Sequence, residues 1–116
     1  MAEVEGTPFA KVKITKGDTL RGPCATLKDS SDAAVDLTDS TVAFRMVLIA
    51  DSSVKINSSA ANIDSAAAGQ VSYDFVAADV NAAGEYAAWW IRTEGGKTER
   101  FPSGNEYIYV LIATDY

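Results

Sequence analysis

The stretch Glu85–Pro102 reads EYAAWWIRTEGGKTERFP and places two tryptophans side by side. Its first nine residues, Glu85 to Thr93, have the composition of a β-strand. Successive side chains on a strand point to opposite faces. Trp89 and Trp90 therefore look in opposite directions, one with Tyr86's parity and one with Ala87's. The Gly95–Gly96 pair inside EGGK supplies the positive φ angles that a two-residue hairpin needs, so Thr98–Phe101 is the returning strand.

Period-two patterning extends in both directions. FAKVKIT (Phe9 to Thr15) sets Ala10, Val12 and Ile14 against lysines, a half-buried strand. A KGD turn follows. In TLRGPCATLKD, Pro23 cannot donate to a ladder, which makes this an edge strand or a bulge, with Ala25 and Leu27 inward. Val35 and Leu37 anchor a polar connection. TVAFRMVLI sets Val42, Phe44, Met46 and Leu48 on one face and Ala43, Arg45, Val47 and Ile49 on the other. Its second half is apolar on both faces, which implies cover on both sides there.

The segment Ala50 to Ala68 holds at most two short strands, near Val54 to Ile56 and Ala61 to Asp64. GQVSYDFV returns to clean alternation, with Val71, Tyr73 and Phe75 inward. AADVNAAG reads as one helical turn closed by Gly84 in a left-handed conformation. After a PSGN turn, EYIYVLIA is the last strand. About seven short strands with almost no helix specify an all-β fold, an immunoglobulin-like antiparallel β-sandwich in one domain spanning 1–116.

Composition narrows function. The 116 residues suffice for one core. No apolar run approaches the roughly 20 residues of a membrane span. MAEVEGTPFAKV lacks a secretory signal's basic and apolar regions, so the product is expected to stay where it is made. Ten Lys and Arg are scattered among sixteen acids, for a net charge of −6, and this argues against nucleic acid as a partner. Without histidine, His-dependent metal sites are excluded and the single cysteine, Cys24, lacks the usual base for a nucleophile. Cys24 is expected as a packed or half-buried thiol. Asp29, Asp32, Asp36 and Asp39 do not follow the spacing of a calcium loop and read as turn and cap residues. No insertion builds a cleft around a carboxylate pair. No enzyme activity and no cofactor is expected.

Several fragments occur in an order that resembles a known family. They are GDTLRGPCATLKD, AVDLTDSTVAFRM, GQVSYDFVAADVNAAGEYAAWWIR and GKTERFPSGNEYIYVLI, together covering Asp18 to Ile112. The set is similar to the domain at the N-terminus of bacteriophage baseplate upper proteins, also found in small phage structural proteins. Asp39–Ser40 stands where that pattern has glycine-alanine, Gly22–Pro23 replaces a more regular lead-in, and the 50–68 segment is longer. The resemblance implies a non-enzymatic virion structural protein, assembled in the host cytoplasm. It would serve as a docking module of tail, baseplate, neck or capsid, in multiple symmetric copies whose partners are other virion proteins. It also implies that Tyr86, Ala88 and Trp90 face the core with Ile108, Val110 and Ile112.

Glu85, Ala87, Trp89, Ile91 and Thr93 then face outward. If the terminal strand lies in the same sheet, Trp89, Ile91, Tyr107, Tyr109 and Leu111 form an outer apolar patch, the expected protein interface. Burying one tryptophan removes roughly 200 Å2 from water, at most about 5 kcal/mol before association costs. The competing expectation is a second small core, with the β-hairpin or the 50–68 segment folded over these residues. A different function would be a host-surface or carbohydrate-binding module that stacks a sugar on Trp89, Tyr107 or Tyr109.

Overall fold

The computed structural model describes residues 7–17, 19, 22–28, 33–102 and 106–113, with backbone only for 7–10. Asp18, Asp29, Asp32, the Ala10 side chain and the turn at 103–105 lie outside the described residues. The described residues form nine strands: β1 (Thr7–Thr15), β2 (Cys24–Thr26), β3 (Thr41–Leu48), β4 (Val54–Ala60), β5 (Asn62–Ser65), β6 (Gln70–Ser72), β7 (Gly84–Glu94), β8 (Lys97–Phe101) and β9 (Glu106–Ala113). They form two sheets stacked as a sandwich. The large sheet runs β1-β9-β7-β3-β4, with β8 also paired to β7, and the small one runs β2-β6-β5. All pairings are antiparallel except β1 with β9. The expected sandwich is therefore present, with two more strands than the sequence pattern suggests and one parallel pair.

β7 organises the large sheet. Its eleven residues are long enough to take two partners along one edge. Gly84–Ala88 pair with β9 and Trp90–Glu94 pair with β8. Along the other edge β3 runs in register from Thr41↔Thr93 to Leu48↔Tyr86. The Gly95–Gly96 turn has φ of 59° and 80°, as a tight hairpin requires.

Between the sheets lies the core. Phe44 is fully buried and touches three rings: Trp90 at 4.8 Å between centroids, Tyr73 stacked at 5.0 Å and Phe75 edge-on at 6.3 Å. Phe44 and Trp90 come from the large sheet, and Tyr73 and Phe75 from the chain leaving β6. Tyr86, Ala88, Ile108, Val110 and Ile112 are buried beside them, with Leu27, Leu37 and Val71 opposite. The inward parity implied by the resemblance is the parity observed.

After Phe75 the chain makes a single 3-10 turn, Ala77–Asp79. Asp79 is 8% exposed, and its carboxylate accepts the Val76 N–H at 2.9 Å and the Tyr73 hydroxyl at 3.4 Å. The helical turn is thus shorter than expected. Gly84 does not close that turn but opens β7, and its positive φ of 157° is a conformation that residues with side chains rarely adopt.

Cys24, expected as a packed or half-buried thiol, is exposed. Ala25 and Leu27 pack inward, so alternation turns Cys24 away from the core.

Asp39 has φ 67°, the left-handed region, in a turn closed by the Ser40 N–H donating to the Leu37 carbonyl at 2.9 Å. That is where the resembling family carries glycine, and glycine takes this conformation without a Cβ penalty. Asp39→Gly is expected to raise stability by about 0.5 kcal/mol, measured as a higher urea midpoint at unchanged slope.

Candidate functional site

The outer face of the large sheet carries the five residues expected as an interface. Antiparallel register puts Ala87 opposite Tyr109 and Glu85 opposite Leu111 on β7 and β9. On the other side of β7, Trp89 stands opposite Arg45 and Ile91 opposite Ala43. Trp89, Ile91, Tyr107, Tyr109 and Leu111 therefore share one face. Trp89, Tyr107 and Tyr109 are drawn together in a second apolar cluster with Val47, Ala87 and Ile49. Ile91 and Leu111 flank that cluster. Tyr107 is almost covered, at 7% exposure, and supports the patch from beneath. Trp89, Ile91, Tyr109 and Leu111 are half-buried.

Trp89 and Tyr109 are each held by polar contacts. Trp89 Nε1 donates to the Glu106 carbonyl at 3.0 Å, and the Arg100 guanidinium lies 5.2 Å from the Trp89 ring centroid. The Tyr109 hydroxyl donates to a Glu85 carboxylate oxygen at 2.5 Å, and that bond to a carboxylate pushes the tyrosine pKa up. These contacts fix rotamers and reduce the entropy lost on association.

The segments expected as cover lie elsewhere. From the 50–68 segment, β4 joins the edge of the large sheet and β5 joins the small sheet. The β7–β8 hairpin continues the large sheet itself. Among the described residues, the outer cluster consists of side chains from β3, its following residue Ile49, β7 and β9. The doubly apolar second half of β3 is explained: Val47 and Ile49 belong to this outer cluster, and Met46 to the core.

Four contributors escaped the sequence reading. Lys11 stands beside Tyr109 and Lys13 beside Leu111 on the parallel strand β1. Arg45 lies next to Trp89, and Arg100 is opposite Ile91. Their residue types gave no signal, because only strand pairing brings them to one surface. Arg45 Nη1 donates to Asn57 Oδ1 at 2.8 Å on the β4 side.

Beyond the core, Arg92 continues the inward parity of Trp90 and ties the hairpin to the loop before β3. It donates to Ser40 Oγ at 3.0 Å, Glu94 at 2.8 Å, Glu99 at 3.2 Å and the Asp36 carbonyl at 3.5 Å. Hydrogen bonds from Ser40 and Arg92, with the Arg92 charge, hold the Glu94 carboxyl below its usual pKa. An arginine spent on four acceptors has the geometry of a structural clamp. Among the described residues no group of His, Cys, Asp and Glu is arranged to hold a metal ion. Among the same residues no helix is long and apolar enough to cross a membrane.

No protein-family model and no curated protein matches the sequence. Among solved structures, the fold is similar to the N-terminal domain of phage TP901-1 ORF48. The TM-score is 0.57 at 9% identity, covering 97% of this chain and 93% of that one. At that identity the likeness is one of fold, and it extends over nearly the full length of both chains.

Proposed function

We propose that this chain is a non-enzymatic bacteriophage virion structural protein, a docking module of the tail, baseplate or neck, or a capsid decoration protein. The observation that carries the reading is the outer face of the large sheet, where Trp89, Ile91, Tyr109 and Leu111 form a half-exposed apolar surface on an all-β sandwich. Two further supports concern origin. The ordered sequence fragments resemble a phage baseplate domain, and the backbone is similar to a domain of a phage protein.

A sugar-binding role is less well supported. Lectin-type stacking needs an open aromatic face flanked by polar groups. Arg100 lies over the Trp89 ring, and the carboxylate beside Tyr109, Glu85, is engaged by that tyrosine. A surface of this kind suits a protein partner, where aromatics and arginine are enriched at contact centres.

The reading is tested on purified particles of the phage that encodes the chain. The expected result is the intact chain in the particles, by mass spectrometry, at several copies each. Its absence from particles, with abundant protein in the infected cell, would overturn the proposal.

A further inference from the structure

We infer that the partner of this outer face is an acidic surface of a different protein, one that sets carboxylates around an apolar centre. The inference rests on the docking role just proposed for that face and names the chemistry of its occupant. Among the described residues, the outer face of the large sheet presents four cations, Lys11, Lys13, Arg45 and Arg100, against one carboxylate, Glu85. That carboxylate already accepts the Tyr109 hydroxyl. The remaining described residues hold five cations against nine carboxylates. Glu94, Glu99 and Glu106 share the strands of the large sheet but have the opposite parity, and Arg92 engages the first two. Asp51 lies in the turn after β3, where it accepts the Ser53 N–H at 2.9 Å. A chain of net charge −6 thus concentrates positive charge where its aromatic residues are half-exposed.

The cations alternate with apolar side chains and do not form a stripe. Lys11 stands beside Tyr109 and Lys13 beside Leu111 at the β1 margin. Arg45 stands beside Trp89 on β3, and Arg100 beside Ile91 on β8. β1 and β3 are three strand spacings apart, roughly 14 Å. An apolar row crosses the sheet from the β1 margin, Lys11–Tyr109–Ala87–Val47–Val54. Val54, at its far end, is 50% exposed, one of two large apolar side chains that stand this far out among the described residues. Arg45 donates to a neutral amide, that of Asn57, a contact that leaves its charge uncompensated.

This pattern selects among occupants. A nucleic acid calls for clustered cations that neutralise successive phosphates, and here Tyr109, Trp89 and Leu111 stand between them. Two copies of this chain placed face to face would oppose like charges. A partner with an apolar centre and carboxylates at its margins meets both parts of the face. The apolar area supplies affinity, and opposed charge at the rim sets orientation and the rate of encounter. Ion pairs at such a rim are solvent-exposed, weak singly and screened by salt.

Carbodiimide cross-linking of purified particles tests this, because the reagent joins a lysine to a carboxylate only where the two are in contact. Lys11 or Lys13 is expected to be joined to an Asp or Glu of a different virion protein, located by mass spectrometry. Phage carrying Lys11→Glu/Lys13→Glu should hold roughly ten-fold less of the chain per particle. Lys11→Arg/Lys13→Arg should keep the wild-type copy number. Both lysines are exposed on an edge strand, so the purified charge-reversed chain should unfold at the wild-type urea midpoint. If that chain is destabilised, the wild-type cross-links decide alone. Cross-links from these lysines only to further copies of this chain, or none at all, would overturn the inference. So would a charge-reversed chain incorporated at the wild-type level, or a purified wild-type chain that binds a short DNA duplex at physiological salt. Each of these results leaves the virion role standing as long as the chain is found in particles, whereas its absence from them sinks both.

Discussion

Replacing Trp90 with alanine is expected to cost about 4 kcal/mol of folding stability, the usual range for deleting a large aromatic from a core. Trp90 is 1% exposed and is among the largest fully buried side chains. Its ring packs 4.8 Å from Phe44, which in turn contacts the Tyr73 and Phe75 rings across the sandwich. Truncation therefore opens a cavity at the point where the two sheets are held together. Domains of this size are stable by roughly 5–15 kcal/mol, so the loss takes a large share of the total. A companion variant separates volume from polarity. The Trp90 indole N–H is buried without a hydrogen-bond partner, and an unsatisfied buried donor costs about 1–3 kcal/mol. Trp90→Phe removes that donor while keeping a ring, so its net cost should be no more than about 1 kcal/mol. Urea unfolding followed by circular dichroism reads both. A Trp90→Ala variant as stable as wild type would contradict the core placement.

Gly22→Ala is the second large effect. A Cβ built on Gly22 would lie 1.8 Å from the Tyr73 carbonyl oxygen, closer than any real contact, and the obstacle is backbone. The segment cannot simply swing away. The adjacent Pro23 carbonyl accepts the Tyr73 N–H at 3.0 Å, which ties the entry of β2 to the exit of β6. Relief requires breaking that bond or shifting Tyr73, whose ring stacks on Phe44. A cost of about 3 kcal/mol is expected, at the upper end for overpacking. It should appear as a lower urea midpoint with the slope unchanged. A variant within about 0.5 kcal/mol of wild type would show that this approach is looser than described. Glycine at position 22 has a local reason: the backbone here packs directly against its neighbour.

The legible parts of the fold are those where burial on one face forces a period of two. In β3 from Phe44 to Leu48, in β7 from Tyr86 to Trp90 and in β9 from Ile108 to Ile112 every inward position is apolar, and Trp90 follows from that rule. β4 was legible only in its first three residues. Asn57 to Ala60 are exposed and polar or small, and they form a strand because β3 offers hydrogen bonds along its edge, a tertiary cause that local composition does not carry. Arg92 has the core-facing parity yet lies past the end of the core, so its charge is met by Ser40, Glu94 and Glu99.

The candidate site divides similarly. Trp89, Tyr109 and Leu111 follow from alternation once β7 and β9 are neighbours. Lys11, Lys13 and Arg100 reach the same face only through the parallel register of β1 on β9 and the hairpin register of β8 on β7. Neither can be read from residue types in one strand. Cys24 shows the opposite error: alternation from Ala25 and Leu27 already turns it outward, and the expectation of a packed thiol followed general cysteine habit instead.

What Trp89 touches decides between a surface for a neighbour and a second core. Trp89→Ser, introduced into the phage and into the purified chain, should leave folding stability within about 1 kcal/mol of wild type, since one hydrogen bond and a half-buried ring are lost. The same substitution should strip the chain from purified particles. Particles carrying the variant at normal copy number, together with a fall in stability of about 3 kcal/mol or more, would mean that the outer cluster is a second core and not a surface for a neighbour.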